Sequence, residues 1–184
     1  MSAGAISEPA SLTQDVPDLA GCKMAAAIYF RPNSRTMGGA YCLDADAGEP
    51  GLLPSQPPQH CLDGTAPAGQ LEADLRSLSA RLRQDAGQTG RHYRVYGYTD
   101  STGRAPVNLD ISEARAEAVF ATLDLDASIA SFSGRGELSS GFSEARGTPG
   151  DEPAARVVQI YACEPPHPKI VPIVSSQAID NDLP

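Results

Sequence analysis

Apolar residues along the chain fall into short runs and one periodic stripe. Residues 24–30, MAAAIYF, form a short apolar run with aromatic and β-branched members, which is typical of a buried strand. Residues 69–87 instead carry leucines at intervals of i, i+4, i+7 and i+11, which predicts an amphipathic helix. The four leucines of that helix face are Leu71, Leu75, Leu78 and Leu82.

The same pattern continues through the second half of the chain. Three further strands are predicted at residues 91–98, 127–136 and 154–163. A second helix is expected to start at Asp110, where Glu113 completes a capping box, and to run to about Leu123. A short helix would fit residues 138–147. Strands that alternate with helices predict an α/β domain whose helices pack on a small sheet.

Three segments lack such a pattern. Residues 1–20 are polar and aperiodic and are predicted to be a flexible lead, and residues 165–184 are predicted to be a tail. Residues 35–68 are rich in Gly, Pro, Asp and Ala and are predicted to be a long irregular loop. The domain itself is therefore placed at residues 21–164.

The four cysteines suggest disulfides rather than a metal site. They are scattered, with no CxxC pair, and only three histidines accompany them, whereas zinc ligands usually come in close pairs. An even number suits disulfides in an oxidising compartment, and four cysteines allow three pairings. Cys42 and Cys61 both lie in the long loop and are predicted to pair. Cys22 precedes the first strand and Cys163 ends the last, so antiparallel pairing of these strands would join them.

Composition restricts the class of partner. The formal net charge is −9, which argues against a nucleic-acid binder, because such proteins need a basic face. The chain contains no run of about 18 apolar residues that would cross a membrane as a helix. Residues 1–18 show neither the basic nor the apolar region of a signal peptide.

One segment, YGYTDSTGRAPVNLDISEARAEAV at residues 96–119, carries an extended motif. Its Thr99–Asp100, Ile111–Ser112 and Arg115–Ala116 resemble the signature of the OmpA-like C-terminal domain. This peptidoglycan-binding module is also found in the peptidoglycan-associated lipoprotein and in flagellar stator proteins. IYFRPNS, GRGE and AARVVQI resemble further parts of the family pattern, so the resemblance covers about residues 24–163. It implies an α/β (α+β sandwich) fold, with helices packed on a four-stranded mixed sheet.

The resemblance also implies a ligand, the diaminopimelate of the peptidoglycan stem peptide. The binding residues of the family correspond to Asp100, Asn108 and Arg115, with Thr99 beside them. Diaminopimelate ends in an ammonium and a carboxylate. Asp100 would accept from the ammonium, and Arg115, expected about one turn into a helix, would hold the carboxylate. Free N–H groups at the helix start would donate to that carboxylate, and Asn108 would bridge both partners.

Other roles for these residues stay open. Asp100 and Arg115 would pair with each other, or Asp100 would cap its own turn through an Asx bond, in a purely structural arrangement. Arg156 is either a ligand contact or a solvated strand end. Arg31, which stands where the family has an acidic residue, is expected to be a charge at the rim.

The expected function is noncovalent and non-catalytic binding of peptidoglycan in the periplasm or cell envelope, associated with the outer membrane. No cofactor or metal is expected, and other envelope proteins are possible partners. The alternative is an OmpA-like fold that has changed or lost its ligand and acts as a protein-interaction module. Arg31, Ala154, Ala155 and the long loop favour that alternative, as would an apolar patch of Leu52, Leu53 and Leu62.

Overall fold

A five-stranded sheet forms the centre of the part of the protein that the structure describes. The computed structural model of the chain describes residues 19–45, 59–62, 69–138 and 153–165. Its strands are β1 (Cys22–Phe30), β2 (Ala40–Asp44), β3 (His92–Thr99), β4 (Ala130–Glu137) and β5 (Val157–Cys163). Its α-helices are α1 (Gln59–Leu62), α2 (Gln70–Thr89) and α3 (Ala105–Thr122), and two short 3-10 turns lie at Met37–Gly39 and Pro153–Ala155.

The sheet is mixed, in the order β2-β1-β5-β3-β4. β3 and β4 are parallel, and the other neighbouring strands are antiparallel. The predicted fold class is therefore confirmed, but the predicted count of four strands is wrong. The additional strand, β2, lies within the segment that was predicted to be an irregular loop. It is a five-residue edge strand that pairs with β1, so tertiary pairing rather than local propensity determines it.

Both long helices pack on one face of the sheet. The predicted leucine stripe of α2 is buried there: Leu75, Leu78 and Leu82 are each at most 5% exposed, and Leu71 packs at the margin. This helix continues through Gly87 and ends at Gly90, which has a φ of +73°. The strand side chains that meet the helices are mainly Ala26, Ile28, Phe30, Val95, Val158 and Ile160.

The helix α3 begins earlier than the sequence predicts. Its N-cap is Arg104, and Pro106 stands in its first turn, where the missing N–H of proline costs nothing. Asp110 therefore lies inside the helix on its exposed side and caps nothing, so the predicted capping box is wrong. Arg115 consequently lies about three turns into the helix rather than one.

Two glycines let α3 lie directly on the sheet. A Cβ on Gly97 of β3 would collide with the backbone carbonyl of Ser112, and one on Gly134 of β4 would collide with the backbone of Glu113. Any side chain at either position would push the helix away. The close approach brings the polar first half of α3 to the end of the sheet.

The opposite face of the sheet holds both disulfides among tyrosines. Cys22 and Cys163 are bonded and face each other in the antiparallel register of β1 and β5, as the sequence predicts. Cys42 and Cys61 are also bonded, which joins β2 to α1. The tyrosines on this face are Tyr29, Tyr41, Tyr96, Tyr98 and Tyr161.

The remaining sequence predictions meet the structure only in part. The last strand begins at Val157, because Ala154 and Ala155 belong to a 3-10 turn. Residues 139–147 of the predicted short helix lie outside the described residues, as do residues 1–18 and 166–184, Leu52, Leu53 and the side chain of Leu62. Among the described helices, none is long and apolar enough to cross a membrane.

Candidate functional site

The five predicted site residues meet at one end of the sheet. Thr99 ends β3 and Asp100 follows it, while Arg156 directly precedes β5. Asn108 and Arg115 come from α3. None of the five is more than 6% exposed. Burial of so many polar groups requires internal partners, and those partners define the site.

Asp100 is held by two neighbours. Its Oδ2 lies 2.8 Å from Nη1 of Arg156, and both side chains are 8% exposed. Its Oδ1 accepts a hydrogen bond from the backbone N–H of Thr102 at 3.3 Å and another from the hydroxyl of the same residue. The Asx-type cap anticipated as a structural alternative is therefore present. The anticipated ion pair between Asp100 and Arg115 is not found among the described residues; Asp100 pairs with Arg156 instead.

Arg156 connects the site to the end of β1. Its Nε donates to the carbonyl of Phe30 at 3.3 Å, and its own carbonyl accepts from the backbone N–H of Phe30 at 2.8 Å. The interpretation of Arg156 as a solvated strand end is wrong, because the guanidinium is buried against Asp100. The reason is that the β5 neighbours, β1 and β3, both end beside it.

Arg115 donates to three backbone carbonyls. Its Nε contacts the carbonyl of Ser34 at 2.8 Å, its Nη1 that of Tyr98 at 2.9 Å, and its Nη2 that of Arg31 at 3.2 Å. The guanidinium also stands over the Phe30 ring, 5.2 Å from the ring centre. One side chain thus ties the segment after β1 to the end of β3.

The environment of Arg115 disfavours its charge. Burial lowers its pKa to about 10, and the neighbouring positive charge of Arg156 acts in the same direction. Asp100 partly opposes this fall in pKa. Arg115 remains a cation at neutral pH, and it is stabilised mainly by carbonyl dipoles rather than by a carboxylate of its own.

Asn108 contacts Glu137, a residue for which no role is predicted from the sequence. Its Nδ2 donates to Oε1 of Glu137 at 2.8 Å and to the carbonyl of Asp100 at 3.4 Å. Glu137 ends β4 and stands opposite Thr99 in the parallel pairing of β3 and β4. The available signal was the GRGE stretch, whose glutamate falls at the same sheet end once β4 is placed beside β3.

The hydroxyl of Thr99 is buried and has no hydrogen-bond partner within the part of the chain that the structure describes. Thr99 is 3% exposed and immediately precedes Asp100. A buried hydroxyl without a partner costs about 1–3 kcal/mol, so such groups are uncommon in folded proteins. Thr99 therefore offers a hydrogen-bonding group that the fold itself does not use.

Chemically, the site combines the fixed carboxylate of Asp100 with the buried guanidinium groups of Arg115 and Arg156. Such a set suits recognition of a charged group, because both signs are present and rigidly held. Within residues 19–45, 59–62, 69–138 and 153–165, no three His, Cys, Asp or Glu side chains gather closely enough to hold a metal ion.

A model of the OmpA family matches residues 69–147, and no curated protein matches the chain. Similar solved structures include the peptidoglycan-associated lipoprotein from Burkholderia pseudomallei, at 18% identity over 73% of this chain and 88% of that one, with a TM-score of 0.44. The periplasmic domain of Helicobacter pylori MotB is 17% identical over 52% of this chain and 63% of that one, with a TM-score of 0.41.

A third similar structure is the cell wall anchor of the T6SS from Pseudomonas aeruginosa, at 23% identity over 50% of this chain and 68% of that one, with a TM-score of 0.37. The family match is the more informative comparison for the site, because it includes β3, α3 and β4 with Asp100, Asn108 and Arg115. Residues 69–147 of this chain are thus similar to the OmpA family.

Proposed function

We propose that this domain binds peptidoglycan noncovalently and without catalysis, through the diaminopimelate of the stem peptide. It would thereby anchor an envelope protein or the outer membrane to the cell wall from the periplasmic side. The observation that carries this proposal is the meeting of Asp100, Asn108 and Arg115 at one sheet end, inside the segment that matches the OmpA family.

Asp100 is the proposed partner of the ligand ammonium. An ionised carboxylate offers about four lone-pair positions, and the bonds from Thr102 and Arg156 leave at least one of them. The ion pair with Arg156 fixes the carboxylate in orientation before the ligand arrives, which lowers the entropy cost of binding. The unpartnered hydroxyl of Thr99 stands next to Asp100 in sequence and is a second proposed contact.

Arg115 is the proposed partner of the ligand carboxylate. Three of its five N–H groups bind backbone carbonyls, which leaves two for a ligand. Because Arg115 is only 1% exposed, such contact requires the segment Arg31–Ser34 to shift. Asn108 contributes an amide whose oxygen remains available as an acceptor.

The second candidate function is a protein-interaction module that has kept the fold and lost the wall ligand. The observation that favours it is the internal use of both buried arginines, since Arg115 and Arg156 already have partners within the domain. An apolar or charged surface elsewhere would then be the functional one.

Co-sedimentation with purified sacculi of the diaminopimelate type tests the proposal. The native domain should pellet with the sacculi, and Asp100→Asn should lower the affinity roughly thirty-fold or more, as expected for loss of a desolvated charge pair. Asp110→Asn is the matched control, because Asp110 is exposed on α3 and outside the site. Circular dichroism must show that all three proteins are folded.

Thr99→Val provides a variant without a folding penalty. The hydroxyl that it removes has no partner in the fold, so stability should be unchanged or slightly higher. If the hydroxyl contacts the ligand, affinity for sacculi should fall several-fold, by about 1 kcal/mol. If the folded native domain stays in the supernatant, the wall-binding proposal fails and the interaction module becomes the better description.

A further inference from the structure

The arginines at this end of the sheet form two groups. Arg115 and Arg156 are buried and bound to partners within the domain. Arg31, Arg35 and Arg104 are exposed, and within the described part of the chain none of their side chains forms an ion pair or a hydrogen bond. We call these three residues the rim arginines.

Backbone contacts place two of the rim arginines beside Arg115. The carbonyl of Arg31 accepts from Nη2 of Arg115 at 3.2 Å, and the carbonyl of Ser34 accepts from its Nε at 2.8 Å. Arg35 directly follows Ser34. The segment is also folded tightly on itself, because the N–H of Ser34 donates to the carbonyl of Arg31 at 3.3 Å.

Arg104 stands on the other side of the site. It is the N-cap of α3, and its carbonyl accepts from the backbone N–H of Asn108 at 3.0 Å. The amide of Asn108 in turn contacts the carbonyl of Asp100 at 3.4 Å. The rim arginines therefore enclose the site from the segment after β1 and from the turn after β3.

This arrangement makes the mouth of the site locally positive in a chain whose net charge is −9. Exposed cations without counterions raise the potential around the buried pair and attract an anionic group. Arginine is well suited to carboxylates, because its planar fork donates two parallel hydrogen bonds. Exposed side chains can reorient toward a ligand at little cost, whereas Arg115 must first release its carbonyls.

We propose that Arg31, Arg35 and Arg104 recognise a free carboxylate of the bound stem peptide, so that the site prefers diaminopimelate with a free side-chain carboxylate over the amidated form. This proposal rests on the peptidoglycan-binding function proposed above. Asp100 receives the ligand ammonium, and the exposed rim arginines add donors to the carboxylate that Arg115 binds from inside the site. Without ligand, Arg115 holds the Arg31–Ser34 segment in place through the carbonyls of Arg31 and Ser34.

Titration calorimetry with two soluble stem peptides tests the preference. Both peptides end in diaminopimelate, and they differ only in whether its side-chain carboxylate is free or amidated. The native domain should bind the free form about five- to tenfold more tightly, as expected for a few exposed charge contacts, and added salt should reduce the difference. The triple variant Arg31→Gln, Arg35→Gln and Arg104→Gln should show a clearly smaller preference, because only Arg115 is then left to bind the carboxylate.

Arg81→Gln is the matched control, because Arg81 is exposed on α2 and away from the site; it should keep the native preference. A preference that is undiminished in the triple variant would overturn the proposal and leave the carboxylate to Arg115 alone. Equal binding of both peptides by the native domain would also overturn it, while leaving peptidoglycan binding intact. If the native domain binds neither peptide nor sacculi, the proposed function itself fails.

Discussion

Asp100 and Arg156 form a buried ion pair at 2.8 Å across 56 residues of sequence. Asp100 follows β3 and Arg156 precedes β5, and these strands are antiparallel neighbours in the sheet. The pair therefore links the end of β3 to the start of β5 on the side of the sheet that holds the site. The carboxylate that is the best candidate for ligand binding is also a part of the framework.

Arg156→Met should strongly destabilise the domain. It leaves the carboxylate of Asp100 buried without its cation, and the expected cost is about 3–5 kcal/mol in the free energy of unfolding. The measurement is urea unfolding at neutral pH. Arg83→Gln is the control: its pair with Asp124 is similarly short at 2.9 Å, but the two side chains are 46% and 90% exposed, so the loss should stay below about 1 kcal/mol. Equal losses in the two variants would contradict a structural role for the buried pair.

Arg115→Lys should also destabilise the domain, although it keeps the charge. An ammonium cannot reach the carbonyls of Arg31, Ser34 and Tyr98 together, because they surround a planar fork. Loss of charge-assisted bonds to buried carbonyls should cost at least about 2 kcal/mol. Arg76→Lys is a suitable comparison, since its side chain is 74% exposed, and it should have little effect on the urea midpoint. A fully stable lysine variant would show that the three carbonyls do not depend on the guanidinium.

The sequence predicts the local part of this site well and the distant part poorly. Asp100, Asn108 and Arg115 lie within one strand–turn–helix unit, and the family resemblance identifies them together because its motif falls inside that unit. The partner of Asp100 depends on which strand lies beside β3, and that follows from the assembly of the whole sheet. The carbonyl groups that accept hydrogen bonds from Arg115 belong to the backbone, so the residue types in the sequence do not indicate them.

The edge strand β2 and the start of α3 are also poorly predicted from the sequence. β2 has only five residues and takes its conformation from pairing with β1, so its composition resembles that of a loop. The helix α3 begins at Ala105, five residues before the predicted start at Asp110, which rests on the capping-box pattern of Asp110 and Glu113. A proline in the first turn is compatible with a helix, so the cap signal at Asp110 competed with the correct one.

The two disulfides should differ in their effect on stability. Cys22 and Cys163 are 141 residues apart, and Cys42 and Cys61 are 19 apart. In the chain-entropy description, a disulfide that closes a longer loop restricts the unfolded chain more, so the expected losses are about 5 and about 3 kcal/mol. Paired serine substitutions at each disulfide, compared by urea unfolding, measure the two contributions. A larger loss for the Cys42–Cys61 pair would contradict this ranking.

Stability should fall as the pH rises above about 10. Burial raises the pKa of Tyr29, Tyr93 and Tyr98, and it raises the pKa of Tyr161 to about 12. Unfolded tyrosines lose their protons near pH 10, so above that pH the folded state binds more protons and rising pH favours unfolding. The lowered pKa of Arg115, about 10, acts in the opposite direction over the same range, but it is one group against four.

Tyr29→Phe isolates this effect. Among the described residues the Tyr29 hydroxyl has no hydrogen-bond partner, so phenylalanine should preserve stability near neutral pH. The variant should lose less stability than the native domain between about pH 8 and about pH 11. Chemical unfolding across that range, followed by circular dichroism, is the measurement. Identical alkaline profiles of the two proteins would show that Tyr29 does not contribute.

The in-register bond between Cys22 and Cys163 has a mechanical consequence. Both residues lie at the same end of the neighbouring strands β1 and β5, opposite to the end that holds Asp100 and Arg115. A force that pulls apart the chain before Cys22 and the chain after Cys163 is carried by a covalent bond and cannot unzip these strands. A pulling force between a ligand bound at the site and the chain before Cys22 or after Cys163 acts on β1 and β5 together. Such a force shears the two strands along their length, so their hydrogen bonds share the load and do not break one after another.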